Sequence, residues 1–286
     1  MSLTVRRDGV PVVTRVSGST IDGAPATSDS PMVVASVSKL LTATMVARLD
    51  QAGVLDVDAP VPWGRLGLAP HPSWGDVTPR ELLNHISGMP VARASWFTGT
   101  GDCRTHLSTL VAGPPRTHRG SWTYSNGNYC ALGLLVEAVT GRPLDDAAQT
   151  LLFDPLGATG IHTTDEALPT DVAYQLGNER LSRLGGAGTF VVSTDDLTAT
   201  LAAVTPLDHE VMTWPGLIVD QYGWGHTGTV DGAKSCAWTL EGDRTVVAAT
   251  VSGGSPATGG DVCDRVVVAV ATDLGIAGGE PDRTPP

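Results

Sequence analysis

Strand-like segments lie at both ends of this chain, with helical patterning between them, and that arrangement constrains the fold most. Leu3 to Arg7 and Val12 to Val16 flank Asp8-Gly9, a dipeptide suited to a tight hairpin turn. Strand character returns from Gly223. Ser235 to Leu240 and Thr245 to Val251 flank Glu241-Gly242-Asp243-Arg244 and read as a second hairpin. The economical assembly is an α/β (α+β) fold with one antiparallel sheet built from both termini. The first and last helices are expected to cover it, with a mainly helical second lobe beside it.

The helical segments carry start and stop signals. One begins near Ser36, places Val37, Leu40, Leu41, Met45 and Leu49 on its apolar side, and ends at Gly53. Residues 54–122 are punctuated by proline and glycine, with one short helical piece around Thr78 to His85. Its start, Thr78-Pro79-Arg80-Glu81, combines a cap, an early proline and an acid. Helices are expected over Asn128 to Thr140, Leu144 to Phe153, Ser193 to about Val204, and Asp261 to Leu274. The α/β lobe then comprises about 1–55 and 206–275, the helical lobe about 56–205, and 276–286 form a loose tail.

With 41% hydrophobic and 17% charged residues, the composition is that of an ordinary globular chain. The formal net charge of -12 argues against a nucleic-acid partner, which demands a basic face. No apolar run reaches the length of a membrane span. No apolar core follows Arg6-Arg7, so the N-terminus carries no export signal, and a cytoplasmic protein is expected unless a signal was trimmed. Cys103, Cys130, Cys236 and Cys263 fit no zinc spacing. They are read first as buried free thiols. The alternative is two local disulfides, 103–130 and 236–263, which would favour export. The seven histidines are scattered and form no metal pattern, so no metal or other cofactor is expected.

Chemistry concentrates in three short stretches. Ser36-Val37-Ser38-Lys39 opens an apolar-periodic segment, and on a helix positions i and i+3 share a face. A neutral lysine there can take the serine's proton, and burial lowers a lysine pKa toward neutrality. The helix start also offers N–H groups to an oxyanion. Tyr124-Ser125-Asn126 precedes a helix. A tyrosine held between cations ionises more easily, and an asparagine can bridge a lysine and a substrate amide. In His226-Thr227-Gly228, glycine admits a close backbone approach, while threonine and a cationic or donor histidine suit a carboxylate. Taken singly, each stretch has an ordinary structural explanation: a serine cap, a turn tyrosine, a strand-edge histidine. Their order along one chain is what gives them weight.

On these residues the chain resembles the serine β-lactamase-like group that includes class C β-lactamases, D-alanyl-D-alanine carboxypeptidases and family VIII esterases. Ala35 to Thr42 looks like its nucleophile segment. Leu82-Leu83-Asn84-His85-Ile86-Ser87-Gly88-Met89, Phe153-Asp154-Pro155-Leu156-Gly157 and Gly186 to Leu197 look like further family blocks, so the likeness covers roughly residues 3–275. It implies one catalytic domain over 1–286, with Ser36 as acylated nucleophile and Lys39 as its base. Tyr124 would relay protons and Asn126 would position the lysine and the substrate amide. His226 and Thr227 would contact a carboxylate. The N–H groups of Ser36 and Thr229 would form the oxyanion hole, with Gly228 between. His85 is read as structural. His226-Thr227-Gly228-Thr229 is similar to the DD-peptidase branch, whereas class C enzymes carry lysine first. The span from Asn126 to His226, and the run Gly216 to Tyr222, are short for the family, so part of the pocket wall is expected to be missing or open.

The expected function is therefore acyl-enzyme hydrolysis of a small-molecule or peptide substrate bearing a carboxylate or ester. D-alanyl-D-alanine carboxypeptidase or D-amino-acid peptidase activity ranks first. Esterase, β-lactamase, acyltransferase or peptide cyclase activity follows. A catalytically silent binding protein on the same fold is the remaining alternative, and the intact Ser, Lys and Tyr weigh against it.

Overall fold

The computed structural model describes residues 1–92, 96, 100–158, 160–174, 180–204, 218–240, 244–254 and 257–276. Its main sheet has six strands in the order β2-β1-β9-β8-β7-β6. These are β1 (Ser2–Arg7), β2 (Val10–Val16), β6 (Ile218–Asp220), β7 (Gly223–Val230), β8 (Ala233–Leu240) and β9 (Thr245–Ser252). Every pairing is antiparallel. The two chain ends meet where β1 runs against β9, from Ser2↔Thr250 to Arg7↔Thr245. Asp8 and Gly9 turn the first hairpin with φ of 49° and 78°, the left-handed pair such a tight turn requires. The expected loop Glu241-Gly242-Asp243 and the tail from residue 277 lie outside the described residues.

Strand alternation gives the sheet two buried faces. On one, Val5, Cys236, Trp238, Leu240, Val247 and Ala249 pack against Cys263 and Val267 of the last helix, α7 (Gly259–Leu274). On the other, α6 (Thr194–Ala202) lies along β1 and β9, and the 3-10 turn Ala35–Val37 abuts β7 and β8. Ser2 and Thr4 hold α6 through Thr194 Oγ1, at 2.7 and 3.0 Å. The last helix thus covers the sheet as expected, while α6 shares the opposite face with the start of the first helix.

That first helix, α1 (Ser38–Gln51), is buried from Ser38 to Ala47 rather than only along one stripe. It runs through the middle of the molecule, so even its hydroxyls need partners. Thr42 Oγ1 donates to the Gly186 carbonyl at 2.8 Å, and Ser38 Oγ accepts from the Phe190 amide at 3.1 Å. Against it pack α4 (Asn126–Thr140) and α5 (Leu144–Ala148), and on α4 in turn pack α2 (Pro79–Leu83) and α3 (Cys103–Val111).

Two features were not anticipated, and one first reading is overturned. Helix α3 falls in a stretch expected to hold a single helical piece. Its signals are the Asp102 cap, which accepts from the Thr105 amide at 2.8 Å, and a buried stripe of Cys103, Leu107 and Val111. A small sheet, β3 (Met32–Val33), β5 (Phe190–Val192) and β4 (His162–Thr163), has strands too short to show a period. The four cysteines are not the free thiols read first; they form the two local disulfides given as the alternative. Cys103–Cys130 joins α3 to α4 and Cys236–Cys263 joins β8 to α7, with Cα separations of 5.8 and 5.0 Å. Sequence spacing could not show that these elements lie side by side.

Candidate active site

Ser36 sits in the 3-10 turn Ala35–Val37 that feeds directly into α1. Ala35, just before it, is held at φ 46°, a left-handed conformation costly for a residue with a Cβ. The turn aims the Ser36 hydroxyl inward and leaves its N–H among the unsatisfied donors of a helix start.

Lys39 follows one turn later and is 1% exposed. Its Nζ lies 2.6 Å from the Ala187 carbonyl, 2.9 Å from Asn126 Oδ1 and 3.2 Å from Ser36 Oγ. Burial holds its pKa well below the ordinary lysine value. A neutral amine has two N–H bonds and one lone pair. With both N–H groups committed to the two carbonyl oxygens, the lone pair faces the Ser36 hydroxyl.

The other side of Ser36 belongs to Tyr124, whose O–H donates to Ser36 Oγ at 3.0 Å. Burial pushes the phenol up to about 12, against a smaller opposing effect of the Ser36 hydrogen bond. An easily ionised tyrosine between cations is therefore not what forms here, because the nearby lysine is itself driven toward neutrality. Ser125 explains the local chain path. It caps α4 by accepting from the Gly127 amide at 3.2 Å and donates to the Pro90 carbonyl at 2.6 Å. Asn126 is thereby freed from capping and reaches Lys39.

Strand β7 forms the third wall. β6 pairs with it only at Gly223 to Gly225, so from His226 onward that edge has no strand partner among the described residues. The two-residue turns after Asp220 and Val230 fix the parity of the ladder. Odd-numbered residues then point their N–H and C=O groups away from β8, which places the Thr227 and Thr229 main chain on the open edge. Gly228 lets this edge lie against the nucleophile turn: a Cβ there would collide with Ser235 Oγ, the Val34 carbonyl and Ala35. The Thr229 hydroxyl is engaged, accepting from the Gly259 amide at 2.7 Å.

His226 is 4% exposed, with its ring centroid 6.1 Å from that of Tyr124. Its Nδ1 lies 2.7 Å from the Thr227 carbonyl and must carry a proton to bond there. Burial, then the neighbouring Lys39, lowers its pKa to about 3. In the neutral ring Nε2 is an acceptor. A cationic histidine ready for a carboxylate is thus not found.

Sequence reasoning misses the Ala187 carbonyl, although Ala187 lies within the family-like block Gly186 to Leu197. Gly186 packs so tightly that a Cβ would lie 2.7 Å from the Tyr129 carbonyl and 2.8 Å from Thr42 Oγ1. Of the run Gly216 to Tyr222, expected to be short, Gly216 and Leu217 lie outside the described residues and Ile218–Asp220 forms β6. Among the described residues no helix is long and apolar enough to cross a membrane.

Ser36, Lys39 and Tyr124 form the candidate catalytic cluster on this fold. The family model described as Beta-lactamase matches residues 1–213, and the chain belongs to that family. It is 35% identical over 176 residues to penicillin-binding protein 4 of Amycolatopsis lactamdurans, covering 58% of this chain and 43% of that protein. It is 33% identical over 153 residues to esterase EstB of Burkholderia gladioli, covering 47% of this chain and 39% of the esterase. Each match thus spans less than half of the curated relative. A D-amino acid amidase from Ochrobactrum anthropi SV3 shares the fold, with a TM-score of 0.75 at 23% identity over 95% of this chain and 94% of that one.

Proposed function

We propose that this chain is a serine hydrolase that forms an acyl-enzyme on Ser36 and cleaves an amide or ester of a small acyl donor, with D-amino-acid peptidase or amidase activity foremost. The observation that carries this reading is Ser36 Oγ held between the Lys39 amine and the Tyr124 O–H. Lys39 takes the Ser36 proton as Oγ attacks the acyl carbon. The N–H groups of Ser36 and Thr229 receive the oxyanion. Tyr124 gives its proton to the leaving nitrogen or oxygen and is reprotonated from the Lys39 ammonium, after which water releases the acid by the same relay. We read the site as a seam between two lobes. Ser36, Lys39 and His226 come from the lobe of about 1–55 and 206–275, and Tyr124, Asn126 and Ala187 from that of about 56–205. The penicillin-binding and amidase names among the similar proteins support the peptide-like substrate class.

A second reading, an esterase acting on uncharged acyl groups, is favoured by His226, whose neutral ring offers no charge to a substrate carboxylate. Intact-protein mass spectrometry after incubation with a fluorescent penicillin, D-phenylalanine amide or p-nitrophenyl butyrate separates the two, with Ser36→Ala as control. A penicillin adduct or amide turnover in the wild type alone supports the first reading, and ester turnover alone supports the second. Equal labelling of Ser36→Ala would sink both.

A further inference from the structure

His85 is a buried titratable residue, 1% exposed, that the mechanism above does not use. It follows α2 in a left-handed conformation, φ 57°. Its surroundings are aromatic: ring centroids of Tyr124, Tyr129 and Trp122 lie 4.8, 5.2 and 6.4 Å away. Two of its atoms grip the chain on either side of Tyr124. The carbonyl oxygen accepts from the Thr123 amide at 2.8 Å, and Nδ1 accepts from the Ser125 amide at 3.3 Å.

The tautomer follows from these bonds. A backbone N–H can only donate, so Nδ1 bears no proton and Nε2 does. The Asn128 amide agrees. Its Oδ1 accepts from Ser87 Oγ at 2.6 Å, which leaves its Nδ2 to donate to His85 Nδ1 at 2.9 Å. Ser87, Asn128 and His85 thus form one buried chain of donors and acceptors ending on the Ser125 amide. Adding a proton at Nδ1 would break two of these bonds, which agrees with the pKa that burial depresses to about 2. The ring is a fixed acceptor, not a proton carrier.

We propose that His85 is a positioning residue for Tyr124: its carbonyl oxygen and its unprotonated Nδ1 pin residues 123 and 125, and so fix the phenol at hydrogen-bonding distance from Ser36. The inference rests on the role of Tyr124 given above. The left-handed backbone is part of the device, since it lets one residue present its carbonyl and its ring to the same short segment.

The test uses p-nitrophenyl butyrate hydrolysis by the full chain, with Ser36→Ala and Tyr124→Phe in parallel. His85→Gly keeps the left-handed backbone and the carbonyl and removes only the ring. Its kcat is expected to fall about 10- to 100-fold with little change in KM, the scale for displacing a reacting group by a fraction of an ångström to an ångström. Asparagine tolerates the left-handed region and carries an acceptor near the place of Nδ1, so His85→Asn is expected to recover to within about threefold of wild type. Wild-type kcat in folded His85→Gly, or equal impairment of His85→Asn and His85→Gly, would overturn the proposal. Should both variants fail to fold, nitrogen-15 NMR of the wild-type ring decides: an Nε2–H tautomer that does not titrate near neutrality supports it, and an Nδ1–H tautomer or a titrating ring overturns it. If Ser36→Ala and Tyr124→Phe are inactive while His85→Gly is not, the reading of the site stands and only the role of His85 falls.

Discussion

The Lys39 amine lies 2.6 Å from the carbonyl oxygen of Ala187, a residue 148 positions further along the chain. That contact, with Asn126, uses the two hydrogens of a neutral amine and turns its lone pair to Ser36. Lys39→Arg is therefore expected to abolish turnover, by about 10²–10⁴-fold, because a guanidinium does not give up its proton. In the wild type the rate falls as pH drops through the depressed Lys39 pKa, since only the neutral amine accepts the serine proton. A pH–rate profile flat to strong acid would remove Lys39 as the base.

Tyr124→Phe keeps the ring and loses only the proton donated to Ser36. Turnover should slow by about 10²–10⁴-fold, the usual scale for a group that moves a proton in the transition state. Because burial raises the phenol to about 12, it remains protonated through neutral pH. An unchanged kcat in the folded variant would leave Tyr124 without a chemical role.

His226 and His85 set how the fold responds to acid. Their pKa values are about 3 and about 2 in the folded chain, against 6.5 for an ordinary histidine. Between those values the unfolded chain binds more protons, so the histidines' contribution to stability is complete above pH 6.5 and declines as pH falls. Asp196 acts in the opposite sense, because burial raises it from 3.8 to about 6. Comparing variants cancels that contribution. His226→Gln should show a shallower fall of Tm between pH 6.5 and about 4 than the wild type. Parallel curves would mean that His226 is already protonated in the fold.

How much of this was legible in the sequence depends on where each signal resides. Ser36 and Lys39 are neighbours along a helical turn, so their spacing carried their proximity. Tyr124, Asn126 and His226 come together only through tertiary folding, and their order along the chain acquired meaning through the family resemblance. The Ala187 carbonyl left no trace, because a main-chain oxygen has no side-chain signature. His85 is visible in the sequence but reads there as structural, since nothing in Leu83-Asn84-His85 reveals which segment its ring will touch. The local cysteine pairings were legible as the alternative to free thiols, but the choice between the two was set by the packing of α3 on α4 and α7 on β8.

Those two disulfides should differ in their effect on activity. Each closes a loop of 27 residues, worth about 3–4 kcal/mol on chain-entropy grounds. Cys103–Cys130 lies against the support of Lys39, whereas Cys236–Cys263 lies behind β7, where Cys236 stands opposite Thr227. A Cβ on Gly185 would lie 2.9 Å from Cys103 Sγ, and Gly185 stands two residues before Ala187. Replacing Cys103 and Cys130 by alanine should lower both Tm and kcat. Replacing Cys236 and Cys263 should lower Tm with a smaller loss of kcat. Equal losses of kcat at matched stability would show that the first bridge has no special hold on Lys39.

Gly228 offers the sharpest test of the open β7 edge. Its φ is not in the left-handed region, so alanine is refused by space alone: the new methyl would strike Ser235 Oγ and the Val34 carbonyl, and come within 3.1 Å of Ala35 Cβ. Two of these three neighbours belong to the segment that leads into Ser36, so relief requires β7 to move off the nucleophile turn and to take the Thr229 N–H with it. Gly228→Ala should cost about 1–3 kcal/mol of stability, as overpacking does. It should also lower kcat by about 10²–10³-fold, the scale for losing one oxyanion donor. Gly254→Ala, with nothing within 4 Å of its Cβ, is the control and should behave as wild type. If Gly228→Ala loses stability but keeps its kcat, the Thr229 amide is not part of the oxyanion hole, and the acyl group must meet Ser36 from another side.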